Sequence, residues 1–156
     1  MKGLQLDNGT IKTFNSVPKS FGKIIGGFNT LNDTELEAFG FYNIVTPSIT
    51  ESQELGNIEW DADNSVFTYS IQNKTFSQSL VEMKAEKIAN LKHSYRRELT
   101  KTDWIIIRDQ ELGNTTNSSI LSTRVNLRSD CATQVISINS KTTKAQVADY
   151  LLPNFL

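Results

Sequence analysis

Side chains that could carry chemistry are few and scattered along this sequence. His93 is the single histidine and Cys131 the single cysteine. A zinc site needs several such ligands at short spacing, and a cysteine nucleophile needs a histidine partner. Neither pattern is present. We therefore interpret His93 as a structural or solvated helix residue and Cys131 as a small buried side chain, and we expect no catalytic residue, metal or cofactor.

Two further segments have the composition of ligand loops but not their spacing. The glycines of residues 22–27 lack the lysine and serine or threonine positions of a phosphate loop. Asp61 and Asp63 lack the glycine and terminal glutamate of a calcium-binding EF-hand, so they are interpreted as turn residues. A nucleophile-elbow motif is also missing. The chain is therefore expected not to be an enzyme.

Bulk properties narrow the class of protein. The 156 residues, 38% of them hydrophobic and 21% charged, suit one domain or two closely joined small ones. Residues 1–76 hold 5 Lys/Arg against 9 Asp/Glu, and residues 77–156 hold 11 against 8. With a pI near 5.8, this mild asymmetry favours a protein partner, and a nucleic-acid-binding regulator is the weaker alternative. Neither a signal peptide nor an apolar run of transmembrane length is evident, so no membrane partner is expected.

The first half of the sequence predicts a small β-rich domain, residues 1–74. Asp7-Asn8-Gly9 between apolar segments predicts a hairpin turn, and residues 32–40 predict a short helix capped by Asn32 or Asp33. Residues 41–45 predict a buried strand. Residues 16–28 are ambiguous, because Pro18 and Gly26-Gly27 favour a loop while the apolar spacing is helical.

A second hairpin is predicted around the polar turn of residues 61–64. Alternation places Ile58 with Trp60 on one face and Phe67 with Tyr69 and Ile71 on one face. The candidate partner-binding residues of this acidic half are the aromatic ones of that hairpin, Trp60, Phe67 and Tyr69.

The second half, residues 75–156, predicts a helical domain. An apolar row from Val81 to Leu99 marks a long helix, with a capping box at Thr75/Gln78 or Ser79/Glu82. A turn at residues 100–102 is predicted to start a second helix that ends at Gly113. A third helix is expected over residues 120–128 and a last one over residues 143–152, closed by Pro153, while residues 134–138 are ambiguous. The fold class is therefore α+β: the β-rich domain, a long helix, a helical hairpin and a short helical tail.

The segment from Leu99 to Gly113 is the most informative. Its spaced residues are Leu99, Thr102, Asp103, Trp104, Arg108, Glu111 and Gly113, and Arg124 and Arg128 follow on the next predicted helix. This pattern resembles L-x-x-T-D-W-x-x-x-R-x-x-E-x-G, which is found near the end of small bacteriophage tail proteins, including tail-fibre assembly chaperones.

The resemblance covers residues 77–152 and implies phage tail or tail-fibre proteins as partners. It implies a transient assembly chaperone or, as the alternative, a permanent component of the baseplate or fibre. The expected locations are accordingly the virion tail or the host cytoplasm during assembly, with a homo-oligomer or several copies around a tail as further options.

The motif also has an interpretation as scaffold. Thr102 is expected to cap the second helix with Asp103 at its positive end, and Trp104 to fill the corner between helices. Arg108 and Glu111 are spaced to pair. Arg124 and Arg128 are expected to bond to loop carbonyls or to Asp103, and Gly113 to supply a left-handed helix end. We favour this scaffold role over direct partner contact, which leaves partner choice to the first half.

Overall fold

The computed structural model describes residues 1–155 and confirms an α+β fold, with a five-stranded sheet followed by long helices. The chain divides into two compact units, Met1–Lys74 and Thr75–Leu156, which we call the sheet unit and the helical unit. Across the part of the chain that is described, no helix has both the length and the apolar character needed to cross a membrane.

The sheet unit is a curled sheet with strands in the order β2-β1-β3-β5-β4. Neighbouring strands are antiparallel except for β3 and β5, which are parallel. A short 3-10 turn and one helix connect the second and third strands. The elements are β1 (Lys2–Gln5), β2 (Ile11–Phe14), the 3-10 turn (Phe28–Thr30), α1 (Asp33–Glu37), β3 (Phe41–Val45), β4 (Gln53–Asp61) and β5 (Val66–Asn73).

Local capping and turn chemistry explains where these elements begin and end. Gly9, at φ 82°, closes the predicted β1–β2 hairpin. The Asn32 side chain accepts a hydrogen bond from the Glu35 amide at 3.0 Å, and the Glu35 carboxylate accepts one from the Asn32 amide at 2.9 Å. This capping box starts α1 and resolves the choice between Asn32 and Asp33. The ambiguous residues 16–28 form turns, bends and an isolated bridge between Phe21 and Ile24 rather than an α-helix, and Phe28 begins the 3-10 turn.

The turn between β4 and β5 is organised by Asp61. Its carboxylate accepts hydrogen bonds from the backbone amides of Asp63 and Asn64, at 3.1 and 3.2 Å. A further bond from the Asn64 side chain, at 2.8 Å, is the main cause that lowers the pKa of Asp61. The acidic residues of this segment therefore serve the turn, as the sequence predicted.

One face of the sheet carries the core of this unit. Phe28, Leu36 and Phe41 are buried there. The Phe21 ring meets Phe41 edge-on, with ring centres 4.8 Å apart. Lys2 on β1 reaches Asp33 at the start of α1, with Nζ 3.0 Å from Oδ1, and this bond is the main cause that lowers the pKa of Asp33. Helix α1 and the preceding loop thus cover one face of the sheet.

The helical unit is built on α2 (Leu80–Glu111), α3 (Ser118–Asn139) and α4 (Lys144–Ala148). Helix α2 is continuous over 32 residues, about 48 Å, so the predicted break at residues 100–102 is wrong. The Thr100 and Thr102 hydroxyls bond back to the carbonyls of Arg96 and Leu99, at 2.9 and 3.1 Å. Their polar groups are therefore satisfied inside the helix, and no glycine or proline interrupts it. The helical hairpin is instead formed by α2 and α3.

The two ends of α2 lie where the sequence predicted helix ends, unlike the break that was predicted inside this helix. Ser79 and Glu82 form the capping box of α2, with hydrogen bonds of 2.7 and 3.2 Å, and the bond from Ser79 lowers the pKa of Glu82. Gly113, at φ 66°, supplies the left-handed end that was predicted. The ambiguous residues 134–138 belong to α3, and α4 ends at Ala148, earlier than predicted.

The core of the helical unit lies between α2, α3 and the segment that follows α4. Leu91 and Tyr95 from α2 pack with Ile138 from α3, and all three are buried. The Phe155 ring lies edge-on to Tyr95, with ring centres 4.9 Å apart. The Tyr95 hydroxyl donates a hydrogen bond to Asp130 on α3. The C-terminal segment therefore covers one side of the α2–α3 pair.

Candidate functional site

Arg124 joins the polar part of the motif into one network. Its side chain is buried in α3, and its guanidinium donates to the Leu99 carbonyl at 2.7 Å and to the Thr102 hydroxyl at 2.5 Å. The same group donates to the Asp103 carboxylate at 2.6 Å. Through these bonds, one guanidinium contacts three residues within about one turn of α2. The motif therefore has a structural basis: it fastens α3 to the middle of α2.

This network confirms the predicted bond from Arg124 to Asp103 but corrects the roles of its neighbours. Thr102 and Asp103 lie inside α2, so neither is at a helix start, and the predicted cap is wrong. The carbonyl that Arg124 binds belongs to helical Leu99 rather than to a loop. Arg128, one turn after Arg124, is exposed and makes no hydrogen bond or ion pair within residues 1–155. The paired arginines are therefore not equivalent.

Trp104 is exposed, which overturns its predicted place in a corner between helices. The fractional exposure of this residue is 58%, and its neighbour Ile107 is 55% exposed. The Arg108 guanidinium lies over the indole, 5.1 Å from the ring centre, and donates to Asp109 at 2.7 Å instead of pairing with Glu111. Trp104, Ile107 and Arg108 therefore form an apolar and cationic patch on the outside of α2.

The uncovered face of the sheet carries an aromatic cluster. Trp60 on β4 lies opposite Phe67 on β5, and the ring of Tyr42 on β3 lies 4.6 Å from Trp60. Phe67 is only 2% exposed and fits because Gly3 has no side chain: a Cβ there would stand 2.6 Å from the Phe67 ring. Phe67 was predicted to be a partner-binding residue, but its burial leaves almost none of its ring for a partner to contact. It supports Trp60, which is 39% exposed.

The same face continues along the second hairpin. Tyr69 is half-buried opposite Ile58, and Ile71, opposite Leu55, is 47% exposed. Ile58 and Trp60 share one face of β4, and Phe67, Tyr69 and Ile71 share one face of β5, as alternation predicted. The register of the two strands places both sets on the same face of the sheet. A bulge between Leu55 and Ile58 keeps this alignment in register. We call the surface formed by Tyr42, Ile58, Trp60, Phe67, Tyr69 and Ile71 the aromatic face.

The residues considered first for chemistry are separated in space or occupied structurally. His93 lies on the exposed side of α2 among cationic residues, and Cys131 is half-buried on α3. Asp61 is bound within its turn. Among the described residues, no group of three or more His, Cys, Asp or Glu side chains could hold a metal ion. What this arrangement offers instead is exposed apolar surface on both units.

Sequence reasoning missed two sets of surface residues. Tyr42 belongs to the aromatic face. Its position directly after buried Phe41 in a strand could have shown that its side chain points to the other face of the sheet. On α3, Leu121, Val125 and Ile136 are exposed at 45%, 62% and 70%. Their i, i+4 and i+15 spacing places them in one row, a pattern that a helix prediction ending at residue 128 could not contain.

Comparison with protein-family models, curated proteins and solved structures finds no match to this chain.

Proposed function

We propose that this chain is a protein-binding component of a bacteriophage tail system, and that it acts as a tail-fibre or tail assembly chaperone. The phage assignment rests on the spaced residues from Leu99 to Gly113 with Arg124. Four of these residues are joined by hydrogen bonds: Leu99, Thr102, Asp103 and Arg124. A chaperone of this kind would hold an apolar or strand-like segment of an unassembled fibre chain. It would release that segment as the fibre trimer forms.

The aromatic face is the observation that carries the binding role. Trp60 and Ile71 are partly exposed on a β surface whose opposite face is already covered by α1 and its loop. Large aromatic side chains supported from below are typical anchors of protein interfaces. The acidic balance of residues 1–76 would favour a partner segment with basic residues beside its apolar ones.

The test is capture of a tail protein by the full chain from cells infected with the phage that encodes it. Wild-type protein and two variants serve as bait: Trp60→Ser on the aromatic face, and Ile25→Ser as the matched control. Ile25 is 93% exposed in the same unit and outside that face. We expect wild type and Ile25→Ser to retain a tail or fibre protein that Trp60→Ser loses. Recovery of nucleic acid alone, or equal capture by all three baits, would contradict the proposal.

A second measurement separates the chaperone from its alternative. Co-expression with a tail-fibre gene of the same phage should raise the yield of soluble fibre trimer, while purified particles should lack the chain. Stoichiometric presence in purified particles would instead support a permanent baseplate or fibre component.

A further inference from the structure

A cationic groove runs between α2 and α3 on the helical unit. Its volume is about 210 Å³, and its floor is apolar, with Leu99, Leu127 and half-buried Cys131. Three cations surround this floor: Lys92 and Arg96 from α2, and Arg128 from α3. We call this surface, together with the row on α3 described next, the α2–α3 groove.

An apolar row on α3 extends the groove. Leu121, Val125, Ala132 and Ile136 are exposed, and at 100° per residue they lie within an arc of about 60°. Arg128 falls in the same row and also lines the groove, so the two features are continuous. The row spans 15 residues of helix rise, about 22 Å. The small side chain of Ala132 near its middle would let another backbone approach closely.

The C-terminal segment covers the opposite side of the helix pair. Gln134 accepts a hydrogen bond from the Tyr150 hydroxyl and lies roughly opposite the apolar row around α3. Lys87 on α2 donates to the Ala148 carbonyl at 3.0 Å. Within the helical unit, the α2–α3 pair therefore has one covered side and one open side.

The cations on the open side of the α2–α3 pair form no ion pair within the described part of the helical unit. Two other cations of this unit are paired: Lys101 lies 2.6 Å from Glu98, and Arg124 is bound to Asp103. Lys92, Arg96 and Arg128 form no ion pair with any carboxylate of the described residues. We propose that the α2–α3 groove binds an acidic amphipathic helix of a partner protein, which lies along the apolar row and completes a three-helix bundle.

The shape of the surface selects a helix. An apolar row at helical spacing, beside a groove between two helices, matches the ridges of a third helix. Acidic residues flanking the apolar row of that helix would meet Lys92, Arg96 and Arg128. A second copy of this chain fits poorly, because a two-fold contact through the row would place Arg128, near its centre, against its own equivalent. The inference needs a protein partner but not the phage assignment.

The test uses the full chain and synthetic helical peptides of about 20 residues. Each peptide has one row of leucines, flanked by glutamates in one peptide and by lysines in the other. Titration calorimetry should show binding of the glutamate peptide that weakens at least about tenfold between 50 and 300 mM salt, because the attraction is screened. The lysine peptide should not bind.

Variants locate the binding surface. Arg128→Glu and Val125→Gln should each weaken binding of the glutamate peptide at least about tenfold, with an unchanged circular dichroism spectrum. The matched control is Arg97→Glu, the same charge change on the outer side of α2, where the Arg97 side chain is 62% exposed. This control should bind like wild type.

Three results of the peptide assay would overturn the inference. These are no binding of the glutamate peptide, equal binding of both peptides, or equal loss in Arg97→Glu and Arg128→Glu. Sedimentation that shows a dimer of the free chain, dissociated by Val125→Gln, would assign the row to self-association instead. Tail-protein capture is independent of this assay, so peptide binding without such capture would refute the proposed function and leave the groove inference standing.

Discussion

Removing Arg124 is the sharpest test of how the helical unit is held together. Arg124→Ala deletes three hydrogen bonds from a cation that is 9% exposed. Each bond to a charged group is worth about 1.5–3 kcal/mol, but bonds from one guanidinium are not additive. The Asp103 side chain is 46% exposed, so water screens its ion pair and we assign that pair no more than about 1 kcal/mol. The expected loss in unfolding free energy is therefore about 2–4 kcal/mol.

Urea unfolding of the full chain measures this loss. Trp104 lies beside Asp103, and in a Trp60→Phe background it is the single tryptophan that reports on the helical unit. With an m-value near 1 kcal/mol/M for a unit of this size, the midpoint should fall by about 2–4 M. Arg124→Lys should lower the unfolding free energy less than Arg124→Ala, because lysine keeps the charge. It should still be less stable than wild type, since lysine cannot reach three acceptors with one planar group.

Arg128 provides the matched control. It is the same residue type one turn later on α3, but it is exposed and forms no hydrogen bond or ion pair with the residues described. Arg128→Ala should change the unfolding free energy by no more than about 0.5 kcal/mol. If Arg124→Ala lowers the unfolding free energy as little as Arg128→Ala does, the network does not fasten α3 to α2, and the structural basis given for the motif is wrong.

Four further substitutions test particular contacts. Trp104→Ala should lower the unfolding free energy by no more than about 1 kcal/mol in thermal melts, since the ring is exposed, and a larger loss would mean that it is buried. Phe67→Ala should cost the sheet unit about 3–5 kcal/mol and Trp60→Ala clearly less, measured by urea unfolding, and the reverse order would contradict the packing of the aromatic face. Burial, reinforced by Asp130, raises the pKa of Tyr95. Above pH about 10 the unfolded chain loses this proton while the folded chain keeps it, so stability should fall by up to about 1.4 kcal/mol per pH unit. Tyr95→Phe should flatten that decline between pH 9 and 11.5, and identical slopes would exclude this origin.

The sequence predicted those elements whose ends are set by local chemistry. Asp7-Asn8-Gly9, the Asn32 capping box and Gly113 each fix backbone geometry through a few neighbouring residues, and each lies where the pattern placed it. Alternation likewise placed Ile58 with Trp60 on one face of β4, and Phe67 with Tyr69 and Ile71 on one face of β5. These predictions were correct because the contacts that determine each element lie within a few residues along the chain.

Burial of individual side chains could not be predicted in the same way, because it depends on what the fold brings alongside. Thr100 and Thr102 looked like a turn, but threonine hydroxyls also bond within a helix, and the Arg124 contact favours that outcome. Trp104 was expected in a corner that exists only if α2 breaks. Phe67 depends on Gly3, some sixty residues earlier in the chain, for the space its ring occupies.

The motif on α2 therefore divides by helix face into two parts with different consequences. Thr102 and Asp103 turn toward Arg124 and set the position of α3, whereas the Trp104 ring turns outward and is covered only by the Arg108 guanidinium, which also donates to buried Asp109. Selection for stability alone would explain the first pair but gives no reason for a tryptophan in water. The same α2–α3 attachment also fixes the position of Arg128 in the α2–α3 groove. Loosening it at Arg124 should therefore weaken peptide binding in the groove even though Arg124 itself lies outside that surface.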